Sequence, residues 1–395
     1  MSLAYATETT SPFGRIAPHY TVRKSGTTYL AESRFDLHPL ADTSLNQLWL
    51  DINAEVTGPT VEWSKDTFTV DAPLEILASN TANTGQGSHH TVFKPADNMD
   101  DDVWRLDPGN YYYNVLFEKL MIDGNRANEA AGRGLEWDVT VAATVGASKD
   151  FHYMLRLDGV FIADCDDEGL YFRTTTGNNI PSQILNSEIS FNGPGASGYQ
   201  IYLQRFFDSR IADSSMNSIR LVDGASNEIH GIYLGGGVAD VFQLDGGTAD
   251  YPNAGNIFTN CRFDHPTSSA LLLDDYALNN IFSGCMFTNF LQGSTTDTYP
   301  AVDIQGYSAY NLFDGCFFGH FGNIPATDRW TYAVEETGNA HDNAFYGCRS
   351  GYGVIGGGNA EHFTQGEAKL LAGNGTTIGA TCTRGDGTYW RIYNT

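Results

Sequence analysis

Four acids crowd into segment 164–168 as Asp164, Asp166, Asp167 and Glu168, and Glu188 follows in the phrase QILNSEISF. Two carboxyls at short range can split a glycosidic bond, with about 5 Å between them for retention of configuration and roughly 6.5–9.5 Å for inversion. Asp164, Asp166, Asp167 and Glu188 are therefore the catalytic candidates, and Arg173 and Arg205 are the nearest cations to bind an acidic sugar or steady developing charge. In a chain this acidic, the plainer reading of such a cluster is hydrated surface. An elimination chemistry would instead need a base beside a uronate and cations or Ca²⁺ on its carboxylate. Arg205, Arg210 and Arg220 recur with Asp208 and Asp213 among them, which also reads as a salt-bridged outward face. The turns ADNMDDDVW from Ala96 and LLLDDY from Leu271 offer oxygen ligands, so Ca²⁺ is the one cofactor in view. Neither matches a twelve-residue calcium loop, and no metal ligand is assigned. His89, His90, His230, His265, His320 and His341 are scattered, with no H-E-x-x-H and no nucleophile phrase.

Binding asks less than catalysis. A shallow wall of aromatics, amides and acids suffices, because ring faces stack on sugar C–H surfaces while Asn and Asp pair with hydroxyls. Tyr111, Tyr112, Tyr113, Tyr199, Tyr202, Tyr233, Trp330 and Tyr332 supply rings. Tyr199, Tyr202 and Tyr233 with Arg173 and Arg205 form the expected glycan-binding set.

Composition narrows the partners. The chain carries 32 Asp and 15 Glu against 16 Arg and 6 Lys, a formal net charge of -25. A polyanion would be repelled and finds no basic stripe to release its counterions, which argues against nucleic acid. Such a surface stays hydrated at high salt, where screening removes its self-repulsion, and fits a halophilic source. An acidic secreted mesophilic protein is the alternative. No stretch of about 18 apolar residues exists to insert in a membrane. The opening MSLAYATETTSPFGR lacks a basic leader and an apolar core. If the natural chain starts here, it leaves the cell by a route other than a signal peptide, such as release inside virus particles, although a removed signal peptide would leave the same text.

The elements that must position these residues come from a repeat. NIFTNCRF from Asn256 returns as NIFSGCMF from Asn280, NLFDGCFF from Asn311 and NAFYGCRS from Asn343. Each Phe lies three positions before a Cys, so one straight strand would send the two to opposite faces. Both are apolar, and both belong inside. A corner between them resolves the conflict, at Asn260, Gly284, Gly315 and Gly347, residue types that tolerate positive φ. The Asn column would stack at another turn, and the Cys column would form a buried ladder of reduced thiols. Looser versions run back through NVLFEKLMIDGN from Asn114 and GVFIADCDDEGLYF from Gly159. The expected fold is all-β, a right-handed parallel β-helix. Asp42 or Thr43 would cap a short helix near 43–54 that plugs its N-terminal end.

These features resemble the pectate-lyase-like β-helix superfamily, in the branch of viral tail spikes and other virion attachment proteins. The resemblance rests on the plug helix, the strand from Thr60, the IDGNR phrase from Ile122 and the N-x-F-x-[NG]-C-x-F coils. It implies a homotrimer with a head-binding N-terminal part, a helix wall that binds or cleaves host glycans, and a C-terminal trimerising part. The expected divisions are an arm and virion anchor at 1–35, the β-helix at 36–361, and a small C-terminal β module and trimer contact at 362–395. This chain departs from the pattern in its short arm and small C-terminal module. The expected protein is a virion-borne attachment spike whose partners are a host surface glycan or glycoprotein, other virion proteins and two further copies of itself. The alternative is a secreted halophilic polysaccharide lyase or glycoside hydrolase acting as a monomer.

Overall fold

The computed structural model describes residues 18–35, 37–106, 112–139, 155–174, 181–235, 240–264, 266–289, 299–320, 330, 333–350, 361–364, 367–370 and 382–383. Three long sheets, of 14, 11 and 10 strands, run side by side. One coil shows the path: Leu155–Asp158 in the first sheet, Phe161–Ala163 in the second, Leu170–Thr174 in the third, then Gln183–Leu185 back on the first. That returning strand pairs in parallel with Leu155–Asp158. The chain is a right-handed parallel β-helix, as its repeat requires.

Period-two alternation decides what each coil buries. On the second sheet Ile162, Ile189, Met216, Leu234, Phe263 and Phe287 stack in register and are sealed from water. On the first, Phe258, Phe282, Phe313 and Phe345 lie face to face at 4.5, 4.6 and 4.7 Å, about the spacing of neighbouring strands. Cys261, Cys285, Cys316 and Cys348 follow them into the core as free thiols. Each sulfur lies 3.3–3.6 Å from a carbonyl oxygen of the preceding coil. On earlier coils the same slot holds Leu120, Val160, Ser187, Ser214 and Ile232, all buried, so the column selects compact side chains, and the two serines satisfy their hydroxyls on the carbonyls of Leu185 and Ala212.

The corner before each Cys is left-handed backbone: Asn260 has φ 53°, Gly284 and Gly315 62°, Gly347 61°. Lys119, Gly159, Asn186, Asp213 and Gly231 hold the same corner on earlier coils, all at positive φ. A Cβ on Gly315 would meet nothing within 4 Å, so backbone strain is the only penalty there. Gly315→Val is expected to cost more than about 1 kcal/mol in a denaturant titration. Gly315→Asn should be far milder, because Asn260 already holds this corner. Equal midpoints for Val and Gly would remove the strain account.

The predicted Asn stack is also present, and it is longer than the repeat. Asn227 donates from Nδ2 to Oδ1 of Asn256 at 2.8 Å, Asn256 to Asn280 at 2.8 Å, Asn280 to Asn311 at 3.0 Å and Asn311 to Asn343 at 2.8 Å. Each Oδ1 also accepts the backbone N–H of the preceding Asn. Asn343 ends the ladder on the buried carboxylate of Glu336, 2.8 Å away.

At the N-terminal end the helix Leu45–Glu55 buries Leu45, Leu48, Trp49 and Ile52. Trp49 packs edge-on against Trp104 at 5.3 Å and donates its indole N–H to the carbonyl of Glu75. The cap is Ser44 rather than Asp42 or Thr43: its hydroxyl accepts the N–H of Gln47, while Asp42 accepts the N–H of Ser44 one step outside. Residues 20–33 also differ from the expected arm. Tyr20–Ser25 and Thr28–Ser33 form a hairpin, and the first strand lies parallel to Thr60–Trp63. Tyr20, Val22, Tyr29 and Ala31 are buried at alternate positions, an apolar alternation too short to stand out in the sequence.

Near the C-terminus Glu361–Thr364, Glu367–Leu370 and Cys382–Thr383 pair antiparallel. The first 17 residues and the aromatic end at Tyr389, Trp390 and Tyr393, where the trimer contact is expected, lie outside the described residues. The helix is not long and apolar enough to cross a membrane.

Candidate functional site

The outer face of the third sheet brings together Arg133, Arg173 and Arg220 with the rings of Tyr171 and Tyr202. Its strands Leu135–Val139, Leu170–Thr174, Ile201–Gln204 and Ile219–Val222 turn two columns outward. One runs Glu136, Tyr171, Tyr202, Arg220, and the other Asp138, Arg173, Gln204, Val222. Tyr171 and Tyr202 stack at 5.0 Å with 13° between their planes. The guanidinium of Arg133 caps this pair, 4.1 Å from the centre of the Tyr171 ring. Arg173 grips Asp138 through two bonds of 2.8 and 2.5 Å. Arg220 donates to Asp245 at 2.7 Å, and the Tyr202 hydroxyl donates to Gln204 at 3.3 Å. Both tyrosines and Arg173 keep part of their surface in water.

Arg133 is the hub of this wall. Its Nε donates to Glu168 at 3.0 Å, its Nη1 to Glu136 at 2.6 Å, and its backbone N–H to Asp102 at 2.8 Å. Glu168 is fully buried, and its second oxygen accepts the N–H of Ser197 at 3.2 Å. A Cβ on Gly195 would lie 2.3 Å from this carboxyl, and its φ of 50° also favours glycine.

Asp102 is hydrogen-bonded to Glu136 beside this arginine, and burial together with that carboxylate pushes it up to about 8. Burial first and the neighbouring Glu136 second let Asp102 keep its proton to higher pH than a free carboxyl, the feature a general acid needs. The same shift fixes a pH dependence. Folded Asp102 keeps its proton from the ordinary carboxylate range up to about 8, whereas the unfolded chain has lost it, so this group's contribution to stability declines as pH rises across that window. Asp102→Asn, which mimics the protonated acid, is expected to melt higher than the parent at pH 9, with the gap closing toward pH 5. A gap that is constant with pH would contradict the retained proton.

The residues singled out in the sequence divide between faces. Arg173 and Tyr202 lie on the wall, and Tyr199 leads into its strand, largely buried and with its hydroxyl held neutral by burial. Arg205 turns the corner after Gln204, 3.9 Å from Asp223 and 4.7 Å from the centre of the Tyr251 ring. Tyr233 stands apart on the outer face of the second sheet, beside Arg262.

The acids are not gathered either. Glu188 stacks on Phe161 and Ser215 on the second sheet and accepts the Ser190 hydroxyl. Asp164 sits three residues beyond Phe161, at a left-handed corner with φ 55°. Asp166 lies 3.9 Å from Arg126, and Asp167 accepts the N–H of Gly132. The corner between sheets separates Glu188 from the other three, because Phe161 rather than the acidic turn is its register partner. Of that segment only Glu168 reaches the wall.

The IDGNR phrase is the turn it was read as, with Asp123 accepting the N–H of Asn125. The acids of ADNMDDDVW bond neighbouring backbone in the same way: Asp100 accepts the N–H of Ala130, and Asp101 that of Asp102. Among the described residues no group of three or more His, Cys, Asp and Glu could hold a metal ion.

Asp102, Arg133, Glu136 and Tyr171 were missed. The available signal was the alternation in LEWDV, LYFRT, IYLQ and IRLV, which points the same way on successive coils. Tyr111 and Tyr332 lie outside the described residues.

No protein-family model matches the chain, and no curated protein sequence matches it. Solved structures do. The A-module of a mannuronan C-5 epimerase from Azotobacter vinelandii superposes with a TM-score of 0.56 at 15% identity, over 78% of this chain and 96% of that one. ORF18 of Geobacillus virus E2 gives 0.51 at 15% identity, over 83% and 61%. Tailspike protein 2 of an Escherichia coli O157:H7 bacteriophage gives 0.52 at 11% identity, over 77% and 41%. This chain thus has the parallel β-helix fold of these structures. At these identities the likeness speaks to fold.

Proposed function

We propose that the protein is a virion-borne attachment spike whose third-sheet wall recognises a host cell-surface glycan. The observation that carries the reading is the stacked Tyr171 and Tyr202 pair, set among Arg133, Arg173 and Arg220. Ring edges and hydroxyls meet sugar C–H and O–H groups, and guanidinium N–H groups not engaged with carboxylates meet hydroxyl or carboxylate oxygens. Virion placement draws on the company the fold keeps, a viral protein and a phage tailspike. Under this reading the first 35 residues include the virion anchor, the segment 362–395 makes the trimer contact, and the acid surplus suits a high-salt setting. The purified protein should block adsorption of its virus to host cells. The Tyr171→Ala/Tyr202→Ala double variant, folded by circular dichroism, should not. Equal blocking by both would overturn the assignment of the wall.

A second reading, that the wall also cleaves its glycan, is favoured by the buried Asp102, whose pKa burial raises, beside Glu136. It predicts new reducing ends from the bound polysaccharide, with Glu136→Gln abolishing their release while binding persists. Binding without any chain shortening would leave attachment alone.

A further inference from the structure

A second surface of the helix differs from the wall in both shape and charge. After the third-sheet strands Leu271–Asp274 and Val302–Ile304 the chain turns toward the first sheet, and there Tyr276 and Tyr307 stack at 5.1 Å with 13° between planes. Tyr310 follows, edge-on to His341 at 5.5 Å. Tyr307 and Tyr310 are 49% and 54% exposed, so packing gives little reason for either ring.

The backbone opposes their presence. Tyr276 and Tyr310 hold φ of 50° and 60°, a region that bulky L-residues avoid. On neighbouring coils the position of Tyr310 is taken by Asn279 and Asp342, with φ of 55° and 56°. Those two residue types adopt this conformation readily. A strained and exposed tyrosine where asparagine would serve points to a ligand rather than to folding.

Charge says which ligand. No Lys or Arg occurs between Arg262 and Arg329, and Asp275 precedes Tyr276 while Asp342 lies in register with Tyr310 and pairs with His341 at 3.0 Å. Arg205 lies over Tyr251 on the coil before Tyr276, so the edge is acid-rich and poor in permanent cations, and an anionic sugar suits it less than the arginine-bearing wall. The rings repeat at the coil spacing, close to the length of one pyranose unit.

From this juxtaposition of exposed tyrosines, Tyr310 among them on strained backbone, with an acidic rim poor in arginine and lysine we infer a second glycan subsite, selective for uncharged or amine-bearing sugars. It rests on the reading of the protein as a glycan binder, and it lets one spike grip two chemistries of a mixed surface polymer.

The test is a printed array of neutral, amino-sugar and uronic-acid oligosaccharides, probed with the full chain and with Tyr307→Ala, Tyr310→Asn and Tyr202→Ala. Neutral or amino-sugar spots should lose at least tenfold in signal with Tyr307→Ala and Tyr310→Asn and keep it with Tyr202→Ala. Tyr310→Asn should melt no lower than the parent, since it relieves strain; a structural tyrosine would lower it. Signals that depend on Tyr202 alone overturn the edge and leave the wall standing. An array with no bound sugar overturns both. Dependence on Tyr307 confined to uronic acids, or an oligomer that Tyr307→Ala dissociates, also overturns the subsite.

Discussion

Replacing Arg133 with methionine is expected to cost about 3–5 kcal/mol, the usual price of stranding one partner of a buried ion pair. The loss comes from Glu168, whose side chain is wholly shielded from water and whose only described cation is Arg133. Methionine fills much of the space but leaves that carboxylate with a single neutral donor, the N–H of Ser197. Arg133→Lys should recover little, because a point charge cannot bond Glu168 and Glu136 together as the fork does. Arg133→Met combined with Glu168→Gln should recover most of it, since no buried charge is then left over. The urea midpoint of the four proteins checks this order. A double variant no better than Arg133→Met would show that Glu168 is not the source.

The Asn ladder carries the second large effect. Asn280→Leu removes the acceptor of the Asn256 backbone N–H and the Nδ2 donor to the carbonyl of Asn253, while Asn256 Nδ2 keeps Asn253 Oδ1 and Asn311 Oδ1 keeps the backbone N–H of residue 280. Each buried orphan costs about 1–3 kcal/mol, so a total above about 2 kcal/mol is expected even though leucine is more apolar. The same change at Asn343 also breaks two links, the one from Asn311 and the one to the buried carboxylate of Glu336, and should cost at least as much, because a bond to a charged group is lost. A much smaller cost at Asn343 would mean that its bond to Glu336 adds nothing to the column.

The core was legible where the coil has no room to vary. Phe, corner and Cys follow one another within a few residues, so Phe258 to Cys261 repeats faithfully at Phe282, Phe313 and Phe345, and the corner demands Gly or Asn each time. The wall was hidden because its strands come after connections of very different length. Asp138 and its partner Arg173 are 35 residues apart, whereas Gln200 and its partner Ser218 are 18. Without register, Glu136 and Tyr171 cannot be seen to adjoin, and Arg133 looks like any surface arginine. Arg173 and Tyr202, two of the expected binders, fall on this wall; each carries its chemistry in its own side chain. Glu188 does lie one coil after the acids at 164–168, as its spacing implied, but the register sets it against Phe161, three residues before Asp164, which spacing alone does not show.

The most direct test of the account measures binding to purified host surface polysaccharide by calorimetry, for variants on two faces of one helix. Tyr171→Ala/Tyr202→Ala on the third sheet should weaken binding at least tenfold, while Tyr233→Ala on the second sheet should leave it unchanged. Loss with Tyr233→Ala and full affinity in the double variant would contradict the account.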